Sequence, residues 1–343
     1  MVEEGTNRGT AGRSARPTMR DVAEAAGVSL KTVSRVVNSE AGVGNGTATR
    51  VTSAIERLGF RRNDVARSLR AASSTLGLII EDVANPFYST IARAVEDVAR
   101  REGYVVITSS SEENAERERE LVTTLLSRQV EGLLLVPAAR DHGYLRPELA
   151  MGMRVVFLDR PPGGLEVDTV LIDNAGGARD GVEHLLAQGH RRIGLIGDPP
   201  GLYTLEERVA GYRAALKARS VALDPQLLRL GAHDVDQAHT STRELLSLPE
   251  PPTALFTANN RATVGALRAL RTVNQPLALV GFDDFELAEL LPVPVTVVRH
   301  DPAEMGVRAA ELLFSRLNGN GAPPRTVVLD TELVVRGSGE VSR

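Results

Sequence analysis

The apolar residues of this chain change their period once, near Thr75. Before it they recur every three or four positions, which predicts three short amphipathic helices. Val22, Ala23 and Ala26 share a face of the first. Val33, Val36 and Val37 share a face of the second, and Val51, Ile55 and Leu58 a face of the third, which starts near Thr47. From Thr75 onward, short continuous apolar runs alternate with longer amphipathic stretches. The runs predict strands at 76–80, 104–109, 132–136, 155–158, 170–172, 193–196, 254–257, 277–280 and 295–299. The stretches predict helices at 87–101, 114–128, 175–187, 205–218, 236–246, 263–271 and 302–317. Continuous apolar strands between amphipathic helices mean parallel sheets covered on both faces. So many strands imply two doubly wound lobes behind a small all-α head.

The first two helices carry their own punctuation. Thr18 stands as a cap with Asp21 three residues on, a capping box. Gly27 supplies a turn and Ser29 caps the second helix. Helix, glycine turn, helix is the plan in which the second helix enters the DNA major groove. An ordinary helical hairpin shares that plan, so the polar face decides. Leu30, Lys31, Thr32, Ser34, Arg35 and Asn38 point away from the valine stripe. Lys31 and Arg35 suit guanine edges, and the hydroxyls and amide suit phosphates. The glycine-rich run 42–46 is not a phosphate-binding loop, because no strand precedes it and no Lys-Ser/Thr follows. Segment 63–70, capped by Asn63, is too short to be a stable isolated helix. It reads as a hinge that folds only when something holds it. The expected organisation is a tail at 1–17, a helix-turn-helix domain at 18–62, a hinge at 63–73 and a two-lobed body at 74–343.

Charge supports that division. Residues 1–72 hold 12 Arg or Lys against 7 Asp or Glu, while the remainder holds 28 against 37. A basic head on an acidic body suits a head that meets phosphate while the body stays off it. The absence of cysteine excludes disulfides, thiolate metal sites and a cysteine nucleophile, and it fits a reducing cytoplasm. No apolar run is long enough to span a membrane, and the first 17 residues have no apolar signal core.

In doubly wound folds ligands bind at the carboxyl ends of strands. Those ends carry Asp82 and Asn85, Asp159 and Arg160, Asp173 and Asn174, Asn259 and Asn260, and Asp283 and Asp284. Each alone reads first as a helix cap. As a set converging on one cleft, carboxylates, amides and arginines suit a polyol-type ligand, with Phe87 and His233 as an apolar or stacking wall.

The chain resembles the lactose-repressor (LacI/GalR) family of bacterial transcription regulators, from Thr18 to about Arg336. The resemblance rests on 21–38, on Val65-Ala66-Arg67-Ser68-Leu69, on Gly189-His190-Arg191-Arg192-Ile193, on Arg208-Val209-Ala210-Gly211-Tyr212, on Gly281-Phe282-Asp283-Asp284 and on Thr296-Val297-Val298-Arg299. It implies a body like the periplasmic sugar-binding proteins, two lobes crossed three times by the chain, near Asp173, Pro292 and Gly319. It implies a homodimer on a pseudo-palindromic operator. Leu30, Lys31 and Arg35 would read bases, with Leu30 on a thymine methyl, and Thr32, Ser34 and Asn38 would lie near phosphates; Thr18 and Ser29 count among the DNA-binding residues, as does Arg20, which adds positive charge where relatives often carry Tyr. Ala66, Leu69 and Arg70 would sit in the minor groove, with Leu69 as the wedge that opens a base step. For an effector it implies Asn85, Phe87, Asp159, Arg208, His233, Asn259 and Asp283. Arg208 would anchor hydroxyls or a carboxylate, unless Glu206 and Glu207 hold it in a structural ion pair.

Together these readings describe a cytoplasmic repressor of a carbohydrate-utilisation operon, a dimer controlled by a small sugar, with no cofactor and no metal. A regulator controlled by a purine, another corepressor or a protein partner is the alternative. A transport receptor would need an export segment and has no use for the head. An enzyme would need a motif that is missing: there is no Gly-x-Ser-x-Gly elbow, no His-Glu-x-x-His and no dinucleotide glycine fingerprint.

Overall fold

The protein is described from a computed structural model, at residues 19–37, 43–58, 75–271 and 277–341. It divides into two units, Met1–Ala72 and Ser73–Arg343. The expected hinge at 63–73 and the residues Thr18, Asn38, Ala66, Leu69 and Arg70 lie outside the described residues.

In the first unit, α1 (Met19–Ala26), α2 (Leu30–Val37) and α3 (Asn45–Leu58) bury Val22, Val33 and Val51 completely, with Ala23, Ala26 and Ala54 around them. Gly27 takes φ +63°, the left-handed conformation a glycine adopts without a Cβ clash. That lets the Val28 amide donate to the Ala23 carbonyl, 3.0 Å, and close α1. Helix α3 starts two residues before the expected position and runs through Gly46, its first amides bonding the Gly44 carbonyl.

The second unit runs β1 (Thr75–Ile80), α4 (Pro86–Arg101), β2 (Val105–Ser110), α5 (Ala115–Ser127), β3 (Gly132–Leu135), α6 (Arg146–Ala150), β4 (Arg154–Leu158), β5 (Asp168–Ile172), α7 (Asn174–Ala187) and β6 (Ile193–Gly197). It continues through α8 (Tyr203–Ala218), β7 (Leu228–Leu230), α9 (Val235–Leu246), β8 (Ala254–Thr257), α10 (Asn260–Leu270), β9 (Ala278–Phe282), β10 (Thr296–Arg299), α11 (Pro302–Leu317), β11 (Thr326–Leu329) and β12 (Glu332–Val334). Two sheets result, ordered β2-β1-β3-β4-β5-β11 and β7-β6-β8-β9-β10-β12. The order is the same in both, so the body is one doubly wound plan used twice. All pairings are parallel except β10 with β12. Interior strands such as β3, β5, β6 and β9 are buried along their whole length, as a sheet covered on both faces requires. Each lobe closes a helix pair over a glycine. A Cβ on Gly306 of α11 would stand 2.6 Å from the Ile91 carbonyl of α4, and one on Gly211 of α8 2.2 Å from the Ala175 carbonyl of α7.

The crossings correct two expectations. The first falls at Asp173, between β5 of the first sheet and α7, which packs on the second. The second comes at His300 and Asp301, not at Pro292. Pro292 precedes β10, and β10 must still pair with β9 to complete the second sheet. The third comes at Asp330 and Thr331, between β11, which pairs with β5, and β12, which pairs with β10. Gly319 turns the chain inside the first lobe, after α11.

Candidate functional site

On the head, α2 presents Leu30, 46% exposed, and an exposed Lys31, with Thr32, Ser34 and Arg35 half-buried. Ser29 is the N-cap of α2: its Oγ accepts from the Thr32 amide at 3.2 Å and pairs with the Thr32 hydroxyl at 2.9 Å. Arg20 is exposed on α1.

In the body, the strand ends of both lobes converge on one cavity. Asn85, Phe87, Asp159, Arg208, His233, Asn259 and Asp283 all line it. Several are caps as well. Asn85 accepts from the Phe87 amide at 3.1 Å and starts α4, and Asn259 accepts from the Ala262 amide at 2.7 Å and starts α10. The cap therefore places the side chain in the cleft, and the two roles coexist. Asp159 and Asp283, which follow β4 and β9, have φ +65° and +66°. Left-handed backbone at a residue with a side chain costs on the order of 1 kcal/mol and gathers at functional sites. Each aspartate amide still donates to the neighbouring strand, to Val170 at 2.9 Å and to Val298 at 3.0 Å.

Asp283 sits in a completed network. Arg208 donates from Nε to Asn174 at 2.8 Å and from Nη1 to the Ala258 carbonyl and to Asp283, 3.3 Å. Its guanidinium lies 3.8 Å over the Phe282 ring, and His300 Nε2 donates to the other Asp283 oxygen at 3.1 Å. Burial pushes the Asp283 carboxyl up, but Arg208 and His300 outweigh it and hold it below the usual range. The structural partner of Arg208 is thus Asp283, across 75 residues, and not the adjacent Glu206 or Glu207.

Asp159 is equally buried and differently served. It accepts from the Tyr88 hydroxyl at 3.3 Å, and Arg160 Nε stands 3.5 Å away. Arg160 gives its Nη atoms to Glu113 and, at 2.9 Å, to the Pro137 carbonyl. Burial therefore wins, and the Asp159 carboxyl is pushed up despite Arg160 and Arg208. Glu81 is pushed up to about 7, by burial first and by Glu113 second.

The lobes also touch across the cleft. Asn260 donates to Asn85 at 2.9 Å, and Arg261 pairs with Asp82. His233 reaches Glu81 at 3.7 Å from one nitrogen and Asp198 at 3.7 Å from the other. Asp198, with Glu81 behind it, pushes the His233 imidazole up in spite of burial. Glu81, Tyr88, Glu113, Asp198, Arg261 and His300 were not among the expected effector residues. Glu81, Asp198 and His300 each directly follow a strand, so the rule that picks out Asp82 and Asp283 reaches them too.

Residues 18–63 match the family of bacterial regulatory proteins of the lacI type, and residues 182–339 match a periplasmic binding protein-like domain. The repressor CytR of Escherichia coli K12 is 31% identical over 326 residues, 94% of this chain and 96% of its own length. The regulator CelR of Thermobifida fusca is 35% identical over 339 residues, 95% and 99% of the two chains. The chain belongs to the lacI family of bacterial transcriptional regulators. Among solved structures, the lac repressor dimer bound to operator and an anti-inducer superposes with a TM-score of 0.81 at 29% identity, over 95% of this chain and 99% of that one. The CelR–cellobiose complex superposes with a TM-score of 0.70 at 32% identity, over 94% and 100%. This LacI-family regulator is thus similar throughout both units to proteins that regulate transcription. Among its described residues no helix is long and apolar enough to cross a membrane.

Proposed function

We propose that this regulator is a repressor of carbohydrate-utilisation genes, acting as a homodimer on a pseudo-palindromic operator, and that a small sugar in the cleft sets its operator affinity. The observation that carries this reading is the cavity. Seven side chains from both lobes, spread over almost 200 residues of sequence, line it with carboxylates, amides and a guanidinium beside the rings of Phe87 and His233. That donor and acceptor mixture is what several hydroxyls on a small ring require. Two relatives fit it: the CelR structure holds cellobiose, and a ribose operon repressor from Haemophilus influenzae is 31% identical over 326 residues.

The mechanism follows from the cross-lobe bonds. Asn260–Asn85 and Arg261–Asp82 favour one arrangement of the lobes. A ligand that binds another arrangement better shifts the population by its differential affinity, and operator affinity shifts with it. On the head, Leu30, Lys31 and Arg35 read bases and Arg20, Ser29, Thr32 and Ser34 approach phosphates, with Thr18 and Asn38 beside them. Ala66, Leu69 and Arg70 enter the minor groove.

Arg35→Ala tests the division of labour. It should cost about 1–3 kcal/mol of discrimination between operator and random DNA, measured by competition binding, and leave sugar binding unchanged by calorimetry. Equal loss of both would contradict two separate sites.

A further inference from the structure

Acidic groups outnumber guanidinium groups around the cleft. Glu81, Asp82, Glu113, Asp159, Asp198 and Asp283 bring six carboxyl groups, against the guanidinium groups of Arg160, Arg208 and Arg261.

The arginines are also committed. Arg160 holds Glu113 and the Pro137 carbonyl, Arg208 holds Asn174, the Ala258 carbonyl and Asp283, and Arg261 holds Asp82. No fork stands ready for an incoming phosphate or carboxylate without breaking one of these pairs.

Three groups are left open. Glu81 is 8% exposed and lines the cavity, yet its nearest cations stand at 3.5 Å (Arg261), 3.7 Å (His233) and 3.9 Å (Arg160). Among the described residues no hydrogen bond reaches its carboxylate. Arg160 Nε and His233 Nδ1, buried in the same wall, have no hydrogen-bond partner either. An open acceptor beside open nitrogens matches a hydroxyl, which gives one hydrogen bond and takes others. An anion cannot use the acceptor and must face Glu81 and its carboxylate neighbours.

We infer that the cleft selects an uncharged polyhydroxyl ligand and turns away sugar acids and sugar phosphates, with Glu81 as the residue that sets this discrimination. The inference rests on the sugar-effector reading above and narrows it to one charge class. The proton that Glu81 retains near neutrality, with Glu113, Arg160, His233 and Arg261 around it, is consistent with a carboxylate short of donors that hydroxyls would supply.

Calorimetric titration of the full-length protein with matched compounds tests it: ribose and ribose 5-phosphate, glucose, glucose 6-phosphate and gluconate, cellobiose and cellobionate. The expected result is binding of at least one neutral sugar, with its anionic counterparts at least 100-fold weaker. Glu81→Gln should narrow that ratio tenfold or more. An anionic member that binds within tenfold of its neutral counterpart, or better, overturns the inference while leaving a sugar effector in place. An unchanged ratio in a folded Glu81→Gln overturns the role of Glu81. Silence from the whole panel removes the sugar reading and this inference with it.

Discussion

Asp159 and Asp283 occupy the same place in the two lobes and are pushed in opposite directions. Each follows the fourth strand of its sheet, counting from β2 or from β7, takes the same left-handed backbone and is almost fully buried. Asp283 is given Arg208 and His300 for itself, and its charged form is favoured. Asp159 shares Arg160 with Glu113, with Glu81 nearby, and burial pushes its carboxyl up. The difference teaches that a repeated backbone supplies positions, while the surrounding charges decide what each position does. The second lobe is electrostatically complete. The first carries surplus acid, and its unspent acceptors face the cleft.

The largest expected effect comes from breaking the complete side. Asp283→Asn leaves Arg208 buried without its anion and should cost about 3–5 kcal/mol of stability at pH 7, read by chemical denaturation. A loss under 1 kcal/mol would remove the contrast between the lobes.

Next is the surplus acid. Glu81 binds its proton more tightly when folded, about 7 against an ordinary 4.5. A raised carboxyl contributes stability at low pH that is lost as pH rises from about 4.5 through about 7. Glu81→Gln has no such titration, so it should gain about 2.5 kcal/mol relative to the parent between pH 5 and pH 8. Parallel stability curves across that range would show that Glu81 titrates normally.

The smallest effect sharpens the comparison. Asp159→Asn removes a carboxyl whose charged form burial disfavours, so it should cost less stability at pH 7 than Asp283→Asn does. A cost near that of Asp283→Asn would make the two aspartates equivalent after all.

Much of this was legible in the chain. The long apolar runs that became β1, β3, β4, β6, β8 and β9 are interior strands, which cannot avoid an apolar sequence. The strands not foreseen, β7, β11 and β12, are short edges open to solvent, where Leu228-Arg229-Leu230 or Glu332-Leu333-Val334 gives no continuous run. The second and third crossings were misplaced because proline and glycine mark turns of every kind. Whether a turn changes lobes depends on which strand the next segment pairs with, and that partner is distant in sequence. In the cleft, the strand-end rule reached Asn85, Asp159, Asn259 and Asp283, while Arg208, inside α8, came only from the family resemblance. It did not reveal that Arg208 is spent on Asp283 and Arg160 on Glu113, since those pairings span 75 and 47 residues.

The central claim is that a ligand in the cleft controls the head. Its most direct test is operator binding by the full-length protein, on a site selected from random DNA, titrated with whichever neutral sugar binds in calorimetry. A shift in operator affinity of tenfold or more, saturating at the same sugar concentration as the heat of binding, is the predicted result. Saturation of the cleft with operator affinity unchanged would contradict it.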